Sequence, residues 1–423
     1  MLITALFVGL LALGVPIIFV LGVTGLVYVY LADLPLVLVP QRIFVGLNSF
    51  LVLSVPLFIL AGNIMNASGI TERIVAFSNL LVGRVRGGLA YVTLVALDFF
   101  SGITGAGSAD TSAIGSIMIP AMHKQGYRLE YAAAITAAGA TVGPIIPPSI
   151  SFVIYGAMSD VSIADLFLAG FIPGVLFTGA MCAVVWRQSR VQNLPVRDVR
   201  FSASEFGRAF LTALPGLFMP VLILGGILGG VFTPTEAAAA GVLYAIIVGF
   251  FVYRELTPAH LWPILKETGI MSGGVMLIVA NAALFSWILA AEQVPQLVAG
   301  VITAVARQPW VILLLVNVLL LVVGCVMETL AAIIILTPVL LPMVKSLGVD
   351  PLHFGVIMVV NLSIGLATPP VGVNLFVAGG IAKVSLERIS RAVWPFVLAT
   401  LIPLAITTYW PGLILWLPRL LAR

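Results

Sequence analysis

The sequence predicts an all-α polytopic membrane protein made of two inverted repeats, each with a re-entrant hairpin and a broken helix. Two observations carry that reading. The first is composition. The 423 residues are 61% hydrophobic and 9% charged, with a mean hydropathy of +1.20. A membrane helix needs about 20 mostly apolar residues, and a soluble domain of this length does not have such a balance. Barrel strands would alternate apolar and polar residues, whereas these runs are apolar throughout. The second is a pair of interrupted apolar segments that occurs twice. One copy has Ser101-Gly-Ile-Thr-Gly-Ala-Gly-Ser-Ala-Asp110, running to Pro120, then Gly143-Pro-Ile-Ile-Pro-Pro-Ser149. The other has Gly324-Cys-Val-Met-Glu-Thr329, running to Pro338, then Asn361-Leu-Ser-Ile-Gly-Leu-Ala-Thr-Pro-Pro370. An offset of 218 residues carries Asp110-Thr111 onto Glu328-Thr329 and Pro120 onto Pro338. After a four-residue insertion, an offset of 222 carries Gly126 onto Gly348, Gly143 onto Gly365 and Pro147-Pro148 onto Pro369-Pro370. Apolar segments broken at matching places in two halves point to the binding site of a secondary transporter.

The elements follow in order. No basic residue precedes the first apolar run, so 2–30 reads as a retained span rather than a signal peptide. Spans near 46–66 and 69–86 come next, then a hairpin at 88–122, a broken span at 128–158 and a span at 164–187. The polar stretch 188–208 is an inter-repeat linker, dividing a first repeat, 1–205, from a second, 206–423. The second half repeats the plan with spans near 209–231, 234–253 and 268–291, a hairpin at 310–344, a broken span at 352–382 and a last span at 392–417. Lys and Arg in short loops mark the cytoplasmic side. Arg84, Arg86, His123, Lys124, Arg128, Arg187, Arg190, Arg197, Arg200, Arg208, Lys383, Arg388 and Arg391 are placed inside, and the acidic turn at Asp160 and Asp165 outside. Five crossings per half is an odd number, which inverts the second repeat. The first hairpin then enters from the cytoplasm and the second from outside. Hairpins and broken spans form a polar-cored unit; the other spans, more uniformly apolar, suit a static scaffold.

Backbone that leaves a helix inside a membrane is tolerated where it is buried in protein or lines a wet cavity. The glycines of 101–108 permit left-handed backbone, and the proline pairs unwind 143–148 and 365–370. Freed carbonyls with Ser/Thr hydroxyls are hard ligands suited to Na⁺, and exposed helix N-termini attract anions. Two cation sites are implied. One lies between Ser101 and Thr104 and the segment Thr141, Gly143, Pro144; the other lies between Gly324 and Thr329 and the segment Gly365 to Thr368. The plainer alternative is that Gly and Pro only kink the spans; two matched copies weigh against it. Asp110 and Glu328 sit at equivalent places just past each tip. A carboxylate in a span is a functional candidate, and either could also be a helix N-cap. No Lys or Arg falls in either broken segment, so an anion there would be held by hydroxyls, backbone N–H groups, helix dipoles and bound cations.

Other features read as structural. Thr233-Pro-Thr-Glu236 fits a helix cap followed by Pro at the first helical position; the competing reading is an ATPase-contacting signature. Asp98, Glu292 and the three histidines are structural or interfacial. Cys182 and Cys325 lie far apart in apolar segments and give neither a metal spacing nor a disulfide framework. There is no phosphate-binding G-x-x-x-x-G-K-[ST], no H-E-x-x-H and no G-x-S-x-G, which speaks against an enzyme. The net charge of +4 belongs to the loops and does not indicate a nucleic-acid partner.

At these motifs the chain resembles the large membrane subunit, DctM-like, of tripartite ATP-independent periplasmic (TRAP) transporters. The resemblance spans essentially the whole sequence. It includes Gly14-Val-Pro16, Ser54-Val-Pro-Leu-Phe58, Ser101-Gly through Ala109-Asp110, Gly143-Pro-Ile-Ile-Pro-Pro-Ser149, Thr233-Pro-Thr-Glu236-Ala and Thr368-Pro-Pro-Val-Gly-Val-Asn-Leu-Phe376. It implies an elevator-type fold of the ion transporter superfamily in the bacterial inner membrane, surrounded by membrane lipid. It also implies a small four-helix membrane subunit, a periplasmic substrate-binding protein and coupling to Na⁺ at about two sites. The substrate would be an organic acid such as a C4-dicarboxylate or sialic acid. Carried over by motif, Ser101, Thr104, Ser108, Asp110, Ser149, Glu328 and Asn374 are the substrate-cavity positions. Glu328 stands where many members have Asp. A stand-alone organic-anion symporter of the same superfamily is the alternative.

Overall fold

A computed structural model describes residues 2–191, 194–195, 202–294, 296–297, 300 and 308–421. The described residues form helices, with no strand among them. Seven of these helices are long and apolar enough to cross a membrane, or eight if the bent pair Ser54–Ala67 and Ile70–Val82 counts as one span. Arg197 and Arg200, assigned above to the cytoplasmic linker, lie outside the described residues.

One group of helices packs as a scaffold. Pro234–Ile247 lies on Ser54–Ala67, and Pro258–Ala291 lies on Ile17–Leu31, Leu38–Leu47 and Ser54–Ala67. Ala203–Leu228 packs on Ile70–Val82 and on Pro234–Ile247. Within the apolar contacts a few polar bonds fix register. Asn63 donates to Thr268 Oγ1 at 3.0 Å, Asn281 donates to the Ile18 carbonyl at 3.0 Å, and Thr235 donates to the Phe50 carbonyl at 2.7 Å. In lipid, where apolar burial drives helix association little, such bonds and close packing hold helices together.

The second group holds both hairpins and both broken spans. The first hairpin is Gly88–Thr104 and Gly107–Lys124, and the second is Pro309–Val326 and Thr329–Ser346. The first broken span is Leu129–Gly139, a 3₁₀ turn at Ala140–Val142 and then Ile150–Ser159; the second is Pro351–Gly365 and Val373–Ala382. These boundaries fall within two residues of the expected ones. Their packing is reciprocal. The second arm of each hairpin lies on the second half of the other repeat's broken span: Gly107–Lys124 on Val373–Ala382, and Thr329–Ser346 on Ile150–Ser159. The Pro147-Pro148 and Pro369-Pro370 bonds are both cis, at corresponding places in the two copies.

The scaffold differs from expectation in four places. Residues 2–30 are two helices, Leu2–Ala12 and Ile17–Leu31, separated at Gly14 and Pro16. Pro16 has no N–H to continue the first helix and sets φ at the start of the second. A helix not foreseen, Leu38–Leu47, lies along Pro258–Ala291 with Arg42 over the Trp287 ring at 4.9 Å. Spans 46–66 and 69–86 are helices of only 14 and 13 residues bent by 71° at Ser68-Gly69. Each rises about 20 Å, too little to cross the apolar core alone. The count of five crossings in the first half therefore does not hold as drawn. Finally, the polar linker expected over 188–208 is shorter, because Ala203–Leu228 begins within it, with Ser202 as its N-cap.

The spans that end each repeat also sit differently. Their uniformly apolar sequences suit the scaffold. Instead, Ile163–Val191 packs on Leu386–Tyr409, which itself lies against Leu129–Gly139 and Pro351–Gly365. Polar bonds pin each to a hairpin: Thr178 donates to Asp98 at 2.7 Å, and Asn361 donates to Asn317, which donates to Thr408, each at 2.9 Å. Apolar composition shows that a helix can meet lipid; it does not say which helix covers its other face.

Several local readings hold. Thr233 and Glu236 form a capping box, with Glu236 N–H donating to Thr233 Oγ1 at 3.3 Å and Thr233 N–H to Glu236 at 2.8 Å. His353 is 4% exposed and bonded to the Thr407 carbonyl, His260 accepts from the Thr257 N–H and His123 contacts the Tyr127 carbonyl. Tyr28 donates to Glu292 at 2.6 Å. Cys182 and Cys325 are both free thiols.

Candidate functional site

The first tip turns at Gly105, whose φ of +64° ends the helix in the left-handed region. The Gly105 N–H closes the helix on the Ser101 carbonyl at 3.0 Å. A Cβ there would also stand 2.5 Å from the Pro148 carbonyl oxygen, so only glycine lets the tip rest on the broken span. Just past the turn, Asp110 is fully buried. It does not cap its helix. Its carboxylate instead reaches back across the tip, accepting from Ser101 Oγ at 2.7 Å and from Thr104 Oγ1. It also faces Gly143 of the unwound segment so closely that a side chain at 143 would overlap it.

The second tip uses its acid differently. Glu328 is the N-cap of Thr329–Ser346 and accepts from the Leu330 and Ala331 N–H groups at 3.1 and 3.3 Å. Gly324 lies on the backbone of the second broken span, and a Cβ on Gly365 would overlap the Gly324 carbonyl. The Gly372 N–H then reaches the Cys325 carbonyl at 3.3 Å. Both tips therefore lie on the broken span of their own repeat, and the two expected juxtapositions are present. Of the two carboxylates, only Glu328 is a cap.

The tips also meet each other. A small cavity of about 40 Å³ lies between them, lined by residues of both tips, by Pro144 and Ser151 of the first broken span and by Leu366 of the second. That volume holds a water-sized particle. Thr329 lines it, is 2% exposed, and its hydroxyl has no hydrogen-bond partner among the described residues. A larger cavity of about 340 Å³ opens between the tips and the scaffold. Thr104, Ser108 and Glu328 form its tip side; Ile59, Asn63 and Met271 are on its scaffold side. Among the described residues, neither cavity is lined by Lys or Arg.

The remaining candidates sit away from open space. Ser149 is 1% exposed; it donates to the Pro144 carbonyl and caps Ile150–Ser159 through the Phe152 N–H, so it ties off the unwound loop. Asn374 is fully buried and donates to the Ala137 carbonyl at 3.2 Å, while its Oδ1 has no partner among the described residues. Thr141 and Thr368 donate to the Ala138 and Ile364 carbonyls of their own segments. Thr141 lines a crevice with Ile364, Ala367 and Phe396. Gly62 and Asn63 were not anticipated. Gly62 lets the scaffold approach the Thr104 backbone closely, and Asn63 faces the larger cavity. An amide inside an apolar run was the signal available for Asn63.

The polar groups are therefore tip hydroxyls and the Glu328 carboxylate on the paired cavities, with the Asp110 carboxylate buried behind the first tip. No three His, Cys, Asp or Glu side chains gather as a transition-metal centre among the described residues.

Comparison with known proteins gives the family and the fold. Residues 4–413 match the model of the family described as "Tripartite ATP-independent periplasmic transporter, DctM component". The chain is 40% identical to the C4-dicarboxylate TRAP transporter large permease protein DctM of Pseudomonas aeruginosa, over 89% of this chain and 88% of that one. It is 39% identical to the sialic acid TRAP transporter large permease protein SiaM of Vibrio cholerae, over 97% and 96%. It is 43% identical to the isethionate TRAP transporter permease protein DctMQ of Oleidesulfovibrio alaskensis, over 95% of this chain but only 64% of that longer protein. Among solved structures, the YdaH transporter of Alcanivorax borkumensis shares the fold, with a TM-score of 0.64 over 88% of this chain and 87% of that one at 18% identity. The chain thus belongs to the DctM family, the large permease component of TRAP transporters.

Proposed function

We propose that this chain, as the large permease subunit, imports an organic acid together with Na⁺ across the bacterial inner membrane. The observation that carries this reading is the larger cavity, bounded on one side by the hairpin tips and on the other by the scaffold. An organic anion there meets the Glu328 carboxylate and no fixed cation. Favourable binding then requires a mobile cation, and the carbonyls and hydroxyls behind each tip are hard donors for one. Anion and Na⁺ stabilise each other's binding, which is the thermodynamic content of coupling. C4-dicarboxylates and sialic acid, the acids named for the relatives, are the first substrates to try.

The unit that moves comprises the hairpins, the broken spans and the two repeat-ending spans pinned to them by Asp98–Thr178 and Asn317–Thr408. It slides as an elevator against the scaffold, and the cavity between them changes side. Reciprocal packing of each hairpin on the other repeat's broken span supports an inverted pseudo-two-fold, in which exchange of the repeats' conformations interconverts the two states. A separate small four-helix membrane subunit packs on the scaffold, and a periplasmic binding protein delivers substrate.

The test is uptake by proteoliposomes containing both membrane subunits, with the binding protein outside. Labelled succinate and sialic acid should accumulate under an inward Na⁺ gradient and only when the binding protein is present. Equal uptake on a proton gradient in Na⁺-free buffer would overturn the coupling. Full uptake without the binding protein would identify a stand-alone symporter.

A further inference from the structure

A third cavity lies apart from the tips. It has a volume of about 380 Å³ and is lined by Arg128 and Glu130 at the start of the first broken span, Tyr131 one residue on, Gln188 near the end of Ile163–Val191, and Arg388 and Arg391 at the start of the last span. The charges are only partly matched. Glu130 pairs with Arg128 and, at 3.6 Å, with Arg388; Arg391 pairs with Glu387 at 2.6 Å. Three guanidinium groups thus face two carboxylates and leave an excess positive charge. The arginine side chains are themselves largely exposed, at 77%, 64% and 80% for Arg128, Arg388 and Arg391, so their guanidinium groups stand at the rim, open to an anion from outside. Here the cavity also has buried polar lining. Tyr131 is 5% exposed, and its hydroxyl has no partner among the described residues; neither does the buried Gln188 Oε1. A buried hydroxyl left without a partner is destabilising unless something binds it.

Trp186, two residues before Gln188, and Trp394, three after Arg391, are 54% and 44% exposed, and exposed tryptophans on membrane helices favour the level of lipid headgroups. Leu398, one turn further along the last span, is 57% exposed and offers a track for an acyl chain. We propose that this cavity binds the headgroup of an anionic phospholipid of the cytoplasmic leaflet. The phosphodiester would take the guanidinium groups and the Tyr131 hydroxyl, and headgroup hydroxyls would donate to Gln188 and Glu130. Such a lipid joins the first broken span to both repeat-ending spans.

The full-length chain is purified in detergent and examined by native mass spectrometry with dioleoyl-phosphatidylglycerol, with dioleoyl-phosphatidylcholine as the neutral control. The wild type should retain one phosphatidylglycerol in preference to phosphatidylcholine, and millimolar inorganic phosphate or glycerol phosphate should not displace it. Arg388→Gln with Arg391→Gln should weaken retention at least about tenfold. Tyr131→Phe removes one hydroxyl without changing charge, should fold if the double variant does not, and should weaken retention about threefold. Equal retention of the two lipids, displacement by inorganic phosphate, or unchanged retention in Tyr131→Phe would each overturn the assignment.

Discussion

Ser101 donates its hydroxyl to Asp110 at 2.7 Å across the first hairpin tip, joining the last turn of one arm to the first turn of the other. Thr104 adds a second bond to the same carboxylate. Asp110→Ala would strand two buried hydroxyls, with a destabilisation of about 1–3 kcal/mol for each. Asp110→Asn keeps the shape and should unfold at a temperature within a few degrees of wild type. It should still lose about 2 kcal/mol of cation-dependent binding, or roughly thirtyfold in uptake. Thermal unfolding measured beside uptake distinguishes the two variants, and wild-type uptake by Asp110→Asn would remove Asp110 from the site.

Glu328 should behave differently because it caps a helix. Glu328→Ala loses bonds to two N–H groups, and about 1 kcal/mol of stability. Glu328→Asp retains a good capping residue and should keep that stability while drawing the carboxylate out of the cavity. The expected outcome is normal unfolding with a raised KM for the transported acid. An unchanged KM would mean that Glu328 serves the cap alone.

Gly365 is a test of the second tip. Any side chain there overlaps the Gly324 backbone, which no rotamer change relieves. Gly365→Ala should abolish uptake and sharply lower stability. Gly380→Ala, in the same broken span but with nothing within 4 Å, should be neutral or stabilise by up to about 1 kcal/mol. Similar behaviour of the two variants would contradict the close approach of tip and broken span.

Orientation is tested with single cysteines on a cysteine-free background. Ser162 is exposed beside the acidic turn, and Ser204 is exposed in the first turn of Ala203–Leu228. In intact spheroplasts Ser162→Cys should react with an impermeant maleimide, and Ser204→Cys should react only after permeabilisation. The reverse pattern would turn the whole chain over, including the sides from which the hairpins enter.

The site was legible in sequence because its backbone departs from regular structure in two copies. Glycines at the tips and Pro-Pro pairs in the broken spans are local necessities, and they located both hairpins to within two residues. What the residues did not reveal was pairing. Asp98 and Asn317 look alike in an apolar run whether they bind substrate or a neighbouring helix; the structure assigns them to Thr178 and Thr408. The bend at Ser68-Gly69 and the helix Leu38–Leu47 were missed because hydropathy averages over a window longer than either feature. Ser149 caps a helix, whereas Asp110, one of the two cap candidates, does not: which N–H or hydroxyl a short polar side chain meets depends on how the turn folds.

The most direct test of the central claim, a cation site behind the hairpin tips, needs neither substrate nor partner. Equilibrium binding of ²²Na⁺ to the purified chain should be saturable, competed by unlabelled Na⁺ and not by K⁺, and strongly reduced in Asp110→Asn and in Thr329→Val. Binding that never rises above a nonspecific background, or that is the same in wild type and both variants, would contradict it.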